Sequence, residues 1–208
     1  MMNDYENKAK LLGYHSIAGC DEVGRGPLAG PLVCAAVILD TDQPIEGLYD
    51  SKGLSEKRRE ALYEVIINKA KDYRIVFIDT SEVDRLNVYQ ASKKGMITAI
   101  KTLKHSVDYV LSDAMPLEGL DIPYQAIVKG DQKSASIAAA SILAKVARDR
   151  YMVKVAKNYP GYGFEKHKGY PTKAHIQALN KLGPCDLHRK SFKPVQVLLE
   201  QQQTLQFD

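Results

Sequence analysis

Asp21 and Glu22 stand side by side in Gly19-Cys20-Asp21-Glu22-Val23-Gly24-Arg25-Gly26, two carboxylates followed at once by an arginine between glycines. Asp113 closes an apolar run, Tyr109-Val110-Leu111-Ser112-Asp113, and Asp131 follows Lys129-Gly130 after another, Gln125-Ala126-Ile127-Val128. Acids in such places belong at strand ends, and in an open α/β sheet the functional crevice lies outside the carboxyl ends of the strands. Carboxylates gathered without basic partners repel one another and call for divalent cations at neutral pH. Oxygen-only ligands favour magnesium or manganese, and two such ions about 3.5–4 Å apart clamp the attacking and leaving oxygens of a phosphodiester. Taken singly, each acid has a plainer reading. Asp21 and Glu22 would form a solvated acidic turn, Asp113 a turn former, and Asp131 an acid favoured by a helix N-terminus.

The elements that must position these acids follow from periodicity. His15 to Ala18 and Leu32 to Leu39 read as two strands, with Asp21 and Glu22 where the first opens into a turn. Neighbouring strand residues point to opposite faces, so both acids reach one site only if the strand ends or bulges there, a freedom that Gly24 and Gly26 would supply. A helix is expected from about Ser55 to Ala70, a strand over Arg74 to Ile78, and a helix from near Ser81 to about Leu103. Strands over Asp108 to Leu111 and Gln125 to Val128 and a long helix from about Ser134 to Val155 follow. Ile137, Ala140, Ala144, Ala147 and Tyr151 form the core stripe of that helix. The order predicts an α/β domain with a mixed central sheet flanked by helices, the early strands antiparallel and the later ones joined by helical crossovers. A single catalytic domain over 1–208 is expected, with about 158–208 as a C-terminal helical part.

The remaining signals exclude more than they assign. Gly24-Arg25-Gly26-Pro27-Leu28-Ala29 fits the loose dinucleotide pattern, but Pro27, Gly30 and Pro31 lead into a β-branched run and not into a helix. The 29 Lys and Arg against 25 Asp and Glu, a net charge of +4, permit a polyanionic partner without requiring one. Cys20, Cys34 and Cys185 make no C-x-x-C pair, and the five histidines lack zinc-site spacing. No apolar stretch is long enough for a membrane span and the N-terminus is not a signal peptide, so a cytoplasmic protein with reduced thiols is expected.

The acids and their surroundings carry a resemblance to bacterial ribonuclease HII, the type 2 ribonuclease H. It rests on Gly19 to Pro27, Asp50-Ser51-Lys52, Gly130-Asp131, Ser136 to Ser141, Lys145-Val146, Arg148-Asp149, His167-Lys168-Gly169-Tyr170 and His188-Arg189. It spans about Ile17 to Val195. The resemblance implies a ribonuclease H-like fold with a small C-terminal helical part. It also implies a metal-dependent endonuclease that hydrolyses RNA in RNA–DNA hybrids and cuts on the 5′ side of ribonucleotides embedded in duplex DNA. Asp21, Glu22, Asp113 and Asp131 would be the catalytic metal ligands for Mg2+ or Mn2+. The Gly24-Arg25-Gly26 backbone would meet the 2′-hydroxyl, which alone distinguishes ribose from deoxyribose. Tyr170 would stack on the next sugar, with Lys52 and Lys168 on phosphates. A monomer is expected, with ribonucleotide and RNA-primer removal as its roles and a possible sliding-clamp contact through Gln203-Thr204-Leu205-Gln206-Phe207. Two other readings compete: a transposase-like phosphoryl transferase, which would lack the glycine loop and the tyrosine, and a protein that binds hybrids without cutting, which would gain nothing from four acids near phosphate.

Overall fold

The computed structural model describes residues 3–48 and 53–204, the side chains of 202–204 excepted. The chain order is α1 Asp4–Leu11, β1 Ile17–Val23, β2 Leu32–Ile38, α2 Glu56–Lys69, β3 Asp72–Ile78, α3 Thr80–Leu86, α4 Val88–Lys101, β4 Tyr109–Asp113 and β5 Tyr124–Ile127. A 3-10 turn, Gly130–Gln132, then leads to α5 Ala135–Ala156, α6 Phe164–His167, α7 Lys173–Leu182 and α8 Lys193–Thr204. The strands form one mixed sheet in the order β3-β2-β1-β4-β5. As the sequence predicts, β1 and β2 pair antiparallel and β4 runs parallel to β1 across helices, but β5 pairs parallel to β4 through 114–123, which holds no helix where a helical crossover is expected.

Two compact units share the chain. The first comprises 1–23, 33–77 and 92–147. The second comprises 24–32, 78–91 and 148–208, so it takes in the end of α5 and two earlier segments.

In the first unit β2 is buried along its whole length, and Val33, Ala35 and Val37 pack with Leu62 and Ile66 of α2 and Ala138, Ala139 and Leu143 of α5. The approach of α5 to β1 is close because β1 has a glycine there. A Cβ on Gly19 would lie 2.2 Å from the Ser136 carbonyl carbon and 2.4 Å from the Ile137 nitrogen. The N-terminus of α5 is capped from two sides. Ser134 Oγ accepts from the Ile137 N–H at 3.2 Å, and Glu6 of α1 accepts from Ser134 Oγ, Ser136 Oγ and the Ser136 N–H at 2.6, 2.6 and 3.0 Å. The acid that accepts from this positive helix end is Glu6 of α1. The buried stripe of α5 also drifts from the expected one. Ile137, Ala140 and Ala144 are buried, but Tyr151 is exposed and Arg148 and Met152 take the inner face, as a 3.6-residue period requires over so long a helix.

The helix expected from Ser81 to Leu103 is two. Asp79, not Ser81, caps α3 by accepting from Glu82 N–H at 2.8 Å. The chain then breaks at Asn87, which has φ 68° and whose Oδ1 accepts from Tyr89 and Gln90 N–H at 3.0 and 3.1 Å, capping α4. With ψ at 162°, this is an extended positive-φ conformation that strains a residue carrying a Cβ.

The second unit has its own core, in which Ala29, Met152, Tyr162 and Phe164 pack together and Leu28, Leu179 and Val195 form a further cluster. His175 and His188 are buried here, and burial first, then the neighbouring His175, pulls His188 down to about 4.

Two outcomes follow. Gly19→Ala should cost on the order of 1–3 kcal/mol in urea denaturation, because the added methyl meets helix backbone and not a movable side chain; an unchanged midpoint would show that α5 does not bear on β1. His188 is neutral in the fold but takes up a proton more readily when unfolded. Its contribution to stability is thus complete above about pH 6.5 and is lost as the pH falls towards about 4. Denaturation midpoints should drop across that window and drop less in His188→Gln; parallel profiles would contradict the assignment.

Candidate active site

The strand that carries Asp21 and Glu22 neither ends nor bulges at them. Its ladder with β2 continues in register through Asp21↔Ala35, Glu22↔Cys34 and Val23↔Val33. What stops is the other side, where the parallel pairing with β4 closes at Cys20↔Ser112. The acids thus sit one step past the point where β1 loses one neighbour. Asp113, the last residue of β4, follows Ser112 at that same end. Parallel strands in register bring Asp21 and Asp113 together without any special turn.

The electrostatics report the same grouping. The fully buried Cys20 thiol is pushed up by burial first and then by Asp21, Glu22 and Asp113 in turn. Asp21, 5% exposed, is held well above the usual carboxylate range, chiefly by burial and then by the Glu22 charge, with Asp113 adding to it. A hydrogen bond from the Ser141 hydroxyl of α5 and one from the Glu22 N–H, 2.7 Å from Asp21 Oδ1, act in the opposite sense. Asp131 lies in the turn before α5 and is 4% exposed. It is tied to the group through the adjacent Gly130 N–H, which donates to Asp113 Oδ1 at 2.6 Å. Two non-glycine residues in the left-handed region flank this contact, Ala114 at φ 51° and Lys129 at φ 57°. Such geometry costs roughly 1–3 kcal/mol per residue and gathers at functional sites.

This donor set suits a hard divalent cation, being all carboxylate oxygen, with burial and the Glu22 and Asp113 charges already opposing ionisation of Asp21. Among the described residues, however, no three His, Cys, Asp or Glu side chains stand together at metal-holding distance.

The glycine loop and Tyr170 belong to the second unit, where two arginines organise them. Arg148 and Arg189 are both fully buried. Arg148 donates to the carbonyls of Pro31, Lys168 and Ala29 at 2.9, 3.0 and 3.1 Å. Arg189 donates to those of Gly24, Arg25 and Gly30 at 2.7 to 3.1 Å. Burial pulls both guanidinium groups down, Arg189 to about 9 with Arg148 as the second cause, which leaves each cationic at neutral pH. The loop from Gly24 to Pro31 is thus held by its carbonyls around buried positive charge. Gly24, at φ 101°, has no space for a Cβ, which would lie 2.4 Å from Arg148 Nε, whereas Gly26 has open space around it. The tyrosine is held against the same loop. Leu28 N–H donates to Gly169 O at 2.8 Å, and the Arg148 guanidinium carbon lies 5.6 Å from the centre of the half-buried Tyr170 ring. Lys168 turns its ammonium to the Glu165 carbonyl. Lys52 lies outside the described residues.

Sequence reasoning left four residues without a role: Glu6, Ser141, Arg148 and Arg189. Arg148 had a signal, since it falls one turn after Ala144 on the buried stripe of α5, where a charge is out of place unless it is used. Glu6 had none, because its partners lie about 130 residues away.

The ribonuclease HII family model matches residues 18–195. Ribonuclease HII of Bacillus subtilis is 53% identical over 195 residues, 94% of this chain and 76% of that protein. Among solved structures, ribonuclease H2 of Pyrococcus horikoshii superposes with a TM-score of 0.77 at 26% identity, covering 90% of this chain and 98% of that one. The ribonuclease HII of Archaeoglobus fulgidus, solved as a complex with PCNA, gives 0.72 at 26% identity over 84% and 94%. The fold is accordingly the ribonuclease H-like fold expected. With Asp21, Glu22 and Asp113 at the same end of neighbouring strands and a family match across nearly its whole length, the chain belongs to the ribonuclease HII family of endoribonucleases.

Proposed function

We propose that the protein hydrolyses the RNA strand of RNA–DNA hybrids and cuts on the 5′ side of ribonucleotides embedded in duplex DNA, leaving a 3′-hydroxyl and a 5′-phosphate. The observation that carries this reading is the gathering of Asp21, Glu22 and Asp113 around Cys20, with Asp131 tied to Asp113 through Gly130. Asp21, Glu22, Asp113 and Asp131 would hold Mg2+ or Mn2+, two ions in the substrate complex. Bound there, the cation supplies Lewis-acid activation of water and of the phosphodiester. The chain's own part is positional. The β1–β2 ladder fixes the direction of Asp21 and Glu22, Ser141 orients the Asp21 carboxylate, and Gly130 orients that of Asp113.

Recognition falls to the second unit. Gly24-Arg25-Gly26, its carbonyls held by Arg189, meets the 2′-hydroxyl, and Tyr170 stacks on the following sugar. Phosphate contacts from Lys52 and Lys168 belong to the same reading. So do ribonucleotide and RNA-primer removal as the biological roles, a monomeric enzyme, and cytoplasmic residence, with which the absence of any helix long and apolar enough to cross a membrane among the described residues agrees. A clamp contact through Gln203 to Phe207 draws its support from the Archaeoglobus fulgidus complex with PCNA; residues 205–208 lie outside those described.

Asp21→Asn keeps the shape of the side chain and removes its charge. With a labelled duplex containing one ribonucleotide and added magnesium or manganese, this variant should bind hybrid as wild type does and cut at no measurable rate. Near wild-type cleavage would sink the assignment. Binding without cleavage by the wild type under either metal would favour the hybrid-binding reading.

A further inference from the structure

The second unit buries two histidines whose ring nitrogens meet. His175 of α7 is 0% exposed and His188 1%, and their Nε2 atoms are 3.2 Å apart. Two ring nitrogens at this distance form a hydrogen bond only when one carries a proton and the other does not. The surroundings decide which. The Cys185 N–H donates to His188 Nδ1 at 3.0 Å, so that nitrogen is bare and the proton of neutral His188 sits on Nε2. His175 Nε2 must then accept. That places the His175 proton on Nδ1, and 2.9 Å from Nδ1 is the carbonyl oxygen of Tyr170. Donation runs in one direction, from Cys185 N–H through His188 and His175 to Tyr170.

The turn that carries Tyr170 is gripped by His175 at a second point. The His175 N–H donates to Thr172 Oγ1 at 3.2 Å, and the Thr172 N–H donates to the Tyr170 carbonyl at 2.7 Å. His167 stacks on the His175 ring with centroids 4.4 Å apart and takes the Gly169 N–H on its Nδ1 at 3.2 Å. Both sides of Tyr170 are therefore fixed through imidazole rings. Packing alone would not call for this, since apolar side chains of similar volume fill a core at least as well as a buried polar pair. What a hydrogen-bonded chain adds is direction.

We infer that the neutral His188–His175 pair is a positioning device that sets the backbone of Tyr170, and with it the presentation of the ring to substrate. Burial as the first cause lowers the proton affinity of both rings, in keeping with a neutral pair. This inference rests on the proposed role of Tyr170 in reading the nucleotide.

Two substitutions at His175 separate positioning from packing. His175→Asn keeps a side-chain N–H near the place of Nδ1 and can still donate to Tyr170, but does not reach His188. His175→Gln extends its amide to the place of Nε2 and can satisfy His188, but releases Tyr170. The kcat/KM for cleavage at a single ribonucleotide in DNA should fall about tenfold in His175→Gln, the loss of one buried hydrogen bond, and much less in His175→Asn. The difference between the two should vanish in a Tyr170→Ala background. Equal losses in the two variants, with Tyr170→Ala itself impaired, would overturn the inference and leave the reading of Tyr170 standing. A Tyr170→Ala enzyme that cuts like wild type would overturn both. If the His175 variants fail to fold, the wild type decides by 15N spectroscopy of its imidazoles: neutral His188 protonated on Nε2 and neutral His175 protonated on Nδ1 are expected, and any other tautomer or a charged ring at neutral pH overturns the inference.

Discussion

The contact between the first turn of α5 and Gly19 of β1 is the constraint on which the first unit depends. With no Cβ at Gly19, the Ser136–Ile137 backbone lies against the strand. Asp21, two residues further along β1, points to the same face. The helix that touches Gly19 therefore also reaches Asp21, one turn later, with the Ser141 hydroxyl. Glu6 secures the start of that helix, and the turn holding Asp131 leads directly into it. Moving α5 outward would loosen Asp21 and Asp131 together.

Charge is buried in both units, and the two solve the problem differently. In the second, two guanidinium groups are satisfied by backbone carbonyls, which converts the cost of burying a cation into the shape of a loop. In the first, burial and the charges of Glu22 and Asp113 raise the proton affinity of Asp21, against the Ser141 hydroxyl and the Glu22 N–H, which lower it. The carboxylate group is the one proposed to hold the cation, and the loop held by the arginines is proposed to read the sugar.

Much of this was legible in the sequence for a physical reason. Apolar runs and caps are local, so α2 behind its Ser55 cap, β3, β5 and most of α5 lie where periodicity places them. The antiparallel start of the sheet follows from the short link between β1 and β2, whereas the parallel pairing of β4 and β5 across 114–123, without a helix, is not written in the connection. The break at Asn87 was hidden because a positive-φ residue leaves no mark in the hydrophobic pattern on either side. The acids were found as types at strand ends, but the reason they meet was not. A bulge was expected at Asp21–Glu22, whereas the ladder is regular and it is the neighbouring strand β4 that ends. Register between distant strands is not written in either strand alone. Nor are the roles of Arg148 and Arg189, whose acceptors are carbonyls and so carry no side-chain signature.

The central claim is that the buried carboxylates of the first unit form a divalent-cation site. Manganese uptake, followed by the loss of the free-ion electron paramagnetic resonance signal, tests it without reference to cleavage. The wild type should bind Mn2+, and Asp21→Asn and Asp113→Asn should each weaken binding by about tenfold or more, at least the loss typical of residues that merely support a metal ligand. Equal Mn2+ affinity in all three proteins would contradict the account.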